Sequence, residues 1–144
     1  MRISNSECVS FLEKLGPFDY AITINLKKRH PIYKIYINQE IANKTAEWFY
    51  KALSKKTLGR KYRYKHANLN CIYSVEIGSL EKRHHIHMAI SKPSNITSDD
   101  FLDKLNVVHQ KMDWRHGDIH LTSYHSSNWI KYLMKEGFEK VGFL

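Results

Sequence analysis

His85 and His87 stand one residue apart within His84 to Ile90, a run whose alternation reads as a β-strand, so both imidazoles point to one face. Glu76 lies near the end of the preceding alternating run, Asn70 to Ile77, and the short connection Gly78 to Arg83 makes the two runs an antiparallel hairpin. A carboxylate on the paired strand can then meet the two imidazoles, giving a His-His-Glu site with open positions. Mixed nitrogen and oxygen donors of this kind accept Mn²⁺ or Mg²⁺. Parity adds Thr23 and Asn25 of an earlier strand to the same face, with His120 as an outlying candidate. Near the chain end, Tyr132 and Lys135 lie three apart in a helix-forming segment, which sets a phenol and an ammonium group one turn from each other.

The elements that must position these groups are read from periodicity and caps. Ser4 or Ser6 caps a helix through Val9, Phe11, Leu12 and Leu15 that stops at Gly16-Pro17. Asp19 to Leu26 alternates as a half-buried strand, with Tyr20, Ile22, Ile24 and Leu26 on one side. From about Asn38 to Leu58, the residues Ile41, Thr45, Trp48, Phe49, Ala52 and Leu53 share a helical face, and Gly59 ends it. The hairpin follows, then a helix capped near Thr97 or Ser98 with Phe101, Leu102, Leu105, Val108 and Met112 inward. A strand over Asp118 to Tyr124 and a helix from about Ser127 to Gly137 complete the order αβαββαβα. The expected fold class is α+β: one antiparallel sheet with helices packed on one face, a ferredoxin-like or RRM-like palm, and the site on the open face. The chain, residues 1–144, is read as one domain.

Composition narrows the classes further. Hydrophobic residues at 42% with three prolines and six glycines set aside disordered, collagen-like and repeat proteins. No apolar run is long enough to span a membrane, so no membrane partner is expected. Cys8 and Cys71 form no CxxC pair and follow no secretory leader, which leads us to expect a non-secreted protein of the host cytosol. Lys and Arg number 23 against 14 acids, a formal charge of +9, and the field favours a polyanion such as nucleic acid. The cations cluster at Lys27, Lys28 and Arg29, at Lys55, Lys56, Arg60, Lys61, Arg63 and Lys65, and at Lys82 and Arg83; Tyr62 and Tyr64 interleave the second group. Cations that follow phosphates, with rings that stack on unpaired bases, suit a single strand. The plainer reading of such a block is a solvated loop and helix end.

The ordered motifs resemble the HUH endonucleases, specifically the rolling-circle replication initiators with one catalytic tyrosine. Tyr20-Ala-Ile-Thr-Ile-Asn-Leu26 resembles the family's first motif, His85-Ile86-His87 its His-hydrophobic-His motif, and Tyr132-Leu-Met-Lys135 its tyrosine helix. The likeness runs from about residue 18 to 137. It implies a divalent ion on Glu76, His85 and His87, and Tyr132 as nucleophile toward a scissile phosphate in single-stranded DNA, often in a loop beside a hairpin. It also implies a 5′-phosphotyrosine link with a free 3′-hydroxyl. A phenol has an ordinary pKa of about 10, and nearby cations, Lys135 among them, are expected to lower it. Glu136 stands where some members have aspartate. His84 extends the histidine run, and alternation assigns the ligand face to His85 and His87. No second tyrosine stands at Ser127 or Asn128, and no GxxxxGK[ST] loop is present, so a helicase is expected as a separate partner or outside this chain.

Other readings compete. A single-tyrosine transposase shares the chemistry. A non-catalytic single-strand binding module would use the same sheet face with neither ion nor adduct. A structural zinc domain on His84, His85, His87 and a cysteine is disfavoured by the parity of Cys71. Residue by residue, His-x-His can simply face water, Glu81 can replace Glu76, the ring of Tyr132 can pack with its hydroxyl at the rim, and Thr23 and Asn25 can be the wet side of a sheet.

Overall fold

The computed structural model of the chain describes residues 4–65, 69–125, 128–135 and 140–143, with the side chains of Asn5, Tyr64 and Lys65 outside that description. The elements are α1 (Asn5–Glu13), β1 (Tyr20–Asn25), α2 (Gln39–Leu58), α3 (Arg60–Lys65), β2 (Cys71–Ile77), β3 (His84–Ile90), α4 (Ser98–Gln110), β4 (His120–Ser123), α5 (Asn128–Leu133) and β5 (Val141–Phe143). The expected limits of the last helix, Ser127 and Gly137, lie outside the described residues, as does Glu136.

Three helix starts follow the capping rules. Ser4 accepts from the Glu7 N–H at 3.2 Å while the Glu7 carboxylate accepts from the Ser4 N–H, a reciprocal capping box. Asn38 accepts from the Ile41 N–H to cap α2 and Thr97 from the Asp100 N–H to cap α4, without the reciprocal bond, each cap stabilising by about 1 kcal/mol. The strands form one antiparallel sheet in the order β4-β1-β3-β2-β5, so β3, the strand with the paired histidines, is central. Alternation sends Ile22, Ile24, Tyr73, Val75, Ile86 and Met88 to one face, where they meet Phe49 and Leu53 of α2 and Phe101 and Leu105 of α4 in the main core. Burying each large side chain contributes about 1.5–3 kcal/mol.

The buried stripe of α2 is rotated about one residue from the expected face. Ala42, Ala46, Phe49, Tyr50 and Leu53 face inward, while Trp48 is 43% exposed. Two alanines let the helix lie close to the sheet, and the bulkier Ile41, Thr45 and Trp48 move to its flank, above a groove shared with Met112 and Trp114.

On the opposite face the strands carry three successive rows. Asn25, His85 and Glu76 are cross-strand partners; next come Thr23, His87 and Ser74; last come Ala21, Ala89 and Ile72. The expectation of helices on one face therefore gains an addition. At the apolar row, Val9 and Leu12 of α1 and Ile130 and Leu133 of α5 pack with Phe18, Ile72, Ala89 and Val141 in a second cluster. α5 also reaches the polar rows, where Trp129 and Tyr132 meet His87 and where Ser74, Glu76 and His87 are buried, while Asn25 and His85 stay partly exposed. Two elements went unread in the sequence. Arg60–Lys65 forms the short helix α3 rather than a loop, and Val141–Phe143 adds β5 beside β2.

Candidate active site

Ile130 and Leu133, three apart, bury one side of α5 in the second cluster. That anchoring turns Tyr132 toward the polar rows, and the turn after the helix brings Lys135 beside it. Both reach one carboxylate. Glu76 Oε1 accepts from the Tyr132 hydroxyl at 3.1 Å and from His87 Nε2 at 2.7 Å, and Glu76 Oε2 pairs with Lys135 Nζ at 2.9 Å. Glu76 is buried, so its oxygens depend on these partners. Burial alone pushes its acid up, but the hydrogen bonds from Lys135 and His87, the charge that His87 carries once protonated, and the Tyr132 hydroxyl together hold it below the ordinary range. It is a carboxylate at neutral pH.

Burial is the largest influence on both imidazoles and pushes them down, against the pull of Glu76. Both are neutral at pH 7, the form that can donate a lone pair. Because His87 Nε2 bonds a carboxylate, it carries the ring proton, and Nδ1 accepts from Thr23 Oγ1 at 3.1 Å. The hydroxyl can also accept, so Thr23 can hold the other tautomer, in which Nε2 is the lone-pair atom. His85 Nδ1 is bonded to Asn25 Oδ1. Its Nε2 lies beside Gly78, where an added Cβ would come within 2.8 Å of it. Glycine keeps that nitrogen approachable.

The donor types fit a divalent ion: one carboxylate and two neutral imidazoles on adjacent strands. As the side chains stand, no group of three His, Cys, Asp or Glu among the described residues is gathered around a common point. His87 and Glu76 bond each other directly.

Tyr132 is 39% exposed, and its hydroxyl is raised above the ordinary range, chiefly by burial and then by its hydrogen bond to Glu76 and that carboxylate's charge. Lys135 lies 4.9 Å over the ring and opposes the rise without reversing it. The expected lowering by neighbouring cations is thus corrected: the carboxylate outweighs the lysine. Trp129, read from the sequence only as an apolar helix residue, also belongs to the site. Its ring stacks on Tyr132 at 5.3 Å and 14°, its edge meets His87, and its indole N–H donates to the Met88 carbonyl. Its position three before Tyr132 was the available signal.

The cation clusters divide. Lys27, Lys28 and Arg29 follow β1 at the end of the sheet where Asn25, His85 and Glu76 lie, and Lys82 and Arg83 sit in the β2–β3 connection at that same end. Arg83 donates to the Leu26 carbonyl at 3.0 Å, so it also ties the connection to β1. Arg60, Lys61, Tyr62 and Arg63 belong to α3, which precedes the first residue of β2, five residues from Glu76 and about 16 Å along the strand. The structure does not bring them to the site. The side chains of Tyr64 and Lys65 lie outside the described ones. His120 pairs with Thr23 across the sheet and is exposed, while His84 is buried on the core side. Glu81 contacts Arg83 at 3.6 Å.

No protein-family model and no curated protein matches the chain. Among solved structures it is similar to the N-terminal nuclease domain of non-structural protein 1 of minute virus of mice. The identity is 12% and the TM-score 0.34, over 99% of this chain and 73% of that one. That domain has Zn²⁺ coordinated in its active-site pocket and recognises DNA at an origin of replication. A likeness this distant carries no weight for the chemistry here. Among the described residues no helix is long and apolar enough to cross a membrane.

Proposed function

We propose that this chain is a single-tyrosine HUH endonuclease domain that nicks and rejoins single-stranded DNA and starts rolling-circle replication of a plasmid, phage or virus. The observation that supports it most is the meeting of two separated motifs on one buried carboxylate: Glu76 is bonded by His87 and by Tyr132 and Lys135. Glu76, His85 and His87 would hold Mn²⁺ or Mg²⁺, which supplies Lewis-acid polarisation of the scissile phosphate.

The chain's own groups do the rest. Trp129 fixes the plane of the Tyr132 ring by stacking. The Tyr132 hydroxyl already directs its proton to Glu76 Oε1. Once deprotonated, the phenol oxygen forms a bond to phosphorus, the bond from phosphorus to the 3′ oxygen breaks, and that oxygen takes a proton to become a free 3′-hydroxyl. Lys135 can leave Glu76 to hold a phosphate oxygen as charge gathers there. The phosphotyrosine conserves the phosphodiester energy, so the 3′-hydroxyl can attack it and reseal the strand. The substrate is single-stranded DNA at an origin hairpin or its loop, and a separate helicase would open longer duplex.

The test mixes the protein with Mn²⁺ and labelled single strands covering the DNA around its own gene. A label that stays with the protein on denaturing gels, absent in Tyr132→Phe and abolished by chelator, is the expected outcome. A salt-sensitive complex without adduct on any fragment contradicts it in favour of the binding module.

A further inference from the structure

The segment that leaves β1, Lys27-Lys-Arg-His-Pro-Ile-Tyr-Lys-Ile-Tyr-Ile37, holds four cations and no acid. It is folded as a small tongue. Ile37 N–H donates to the Lys28 carbonyl and His30 N–H to the Ile35 carbonyl, Arg29 and Tyr36 form a bridge, and Lys34 closes the tip in the left-handed region at φ 60°. One buried side chain organises the tip. His30 Nδ1 accepts from the N–H groups of Ile32 and Tyr33, both at 3.1 Å, so its proton is on Nε2, which faces Asp113 at 3.6 Å. Its ring packs edge-on against Trp114.

This ordered tip displays what folding normally hides. Ile32, Tyr33 and Tyr36 are each 70% exposed or more. Each tyrosine is braced on one side within the tongue: Tyr33 by the His30 ring at 4.7 Å, Tyr36 by the Arg29 guanidinium at 5.6 Å. Their remaining surface faces solvent. Fixed rings with cations around them and no acid between them suit a strand whose phosphates need neutralising and whose bases are unpaired. A protein partner would be met equally well by the isoleucines, but the four cations favour the nucleic acid.

We propose that residues 28–37 form a base-stacking tongue that grips unpaired nucleotides beside the site, with Tyr33 and Tyr36 as platforms, Lys28, Arg29 and Lys34 on phosphates, and His30 as the positioning residue. The tongue leaves β1 three residues after Asn25, whose side chain is bonded to His85, so a strand crossing the site can continue onto it. The choice of single-stranded DNA rests on the function proposed above.

The test is fluorescence anisotropy with a labelled oligothymidylate in chelator, where no cleavage intervenes. The doubly substituted Tyr33→Ala, Tyr36→Ala protein should bind it about 5- to 100-fold more weakly per ring, with binding to a blunt duplex unchanged and Tyr33→Phe, Tyr36→Phe close to wild type. Lys28→Ala should flatten the salt dependence by about 0.7 in log–log slope, whereas the tyrosine variants should not. His30→Ala, which keeps both rings but frees the tip, should reproduce the loss. Unchanged oligothymidylate binding by the double alanine protein, or an equal loss with phenylalanine, overturns the proposal and returns the exposed rings to a protein contact. A wild-type protein that forms no adduct while the alanine variants still lose binding removes the nuclease reading and leaves the tongue standing.

Discussion

At one end of the site face the strands place Asn25, His85 and Glu76 side by side, and four residues along the same strands they place Ala21, Ala89 and Ile72. The three central strands pair at both ends, but β4 and β5 flank them only toward the apolar end, and the side chains differ as well. The apolar end attracts α1 and α5 into a dry cluster, while at the polar end Asn25 and His85 stay partly exposed and Glu76 is met by Tyr132 and Lys135. Helix α5 serves both, with Ile130 and Leu133 gripping the apolar end while Tyr132 reaches Glu76. The chemistry proposed for one end would therefore depend on packing at the other, and substitutions can separate the two contributions.

The largest effect belongs to the polar end. Tyr132→Phe should lower strand cleavage by about 10⁴-fold or more, as removal of a nucleophile does, while its urea midpoint stays close to wild type. At the apolar end Leu133→Ala should destabilise by about 2–5 kcal/mol, read in urea melts, with cleavage falling in proportion to the folded and correctly docked fraction. If Leu133→Ala left stability untouched, α5 would not be held by that cluster.

A smaller effect is expected between the rows. Thr23→Val keeps the strand and removes the group that holds His87 Nδ1. Mn²⁺ affinity measured by calorimetry should drop about 10- to 100-fold, with melting temperature little changed. An unaltered affinity would take His87 out of the proposed ion site.

The smallest effect is the pH response of the unliganded fold. Burial holds His84, His85, His87 and His109 below the ordinary imidazole range. The unfolded chain therefore takes up protons at these positions at higher pH than the folded one. Their contribution to stability is complete above about pH 6.5 and is lost as pH falls through the depressed folded values. Glu76, also lowered, adds a second loss below about pH 4.3. Melting temperature should fall steadily from pH 7 toward pH 5, by about 3 °C for each kcal/mol lost; a flat profile would contradict the burial of these rings.

Much of this face was legible because a strand has period two: the parity of Thr23, Asn25, Glu76, His85 and His87 follows from alternation alone. The face of α2 was less so, since bulk pointed to Trp48 while close approach to the sheet selected Ala42 and Ala46. Helix α3 was hidden by its charge, and β5 by its three-residue length. Within the site, Trp129 and Gly78 act through contacts across elements, which spacing along one chain segment does not reveal. The competition between Glu76 and Lys135 over the Tyr132 phenol likewise needed distances.

In the proposed reaction Tyr132 becomes covalently joined to DNA beside a carboxylate shared with His87 and Lys135. Peptide mass spectrometry after reaction with Mn²⁺ and origin-containing single strands tests it most directly. A nucleotide mass is expected on the peptide bearing Tyr132 and on no other tyrosine peptide. An adduct at another residue, or cleaved DNA with free ends and an unmodified Tyr132, would contradict it.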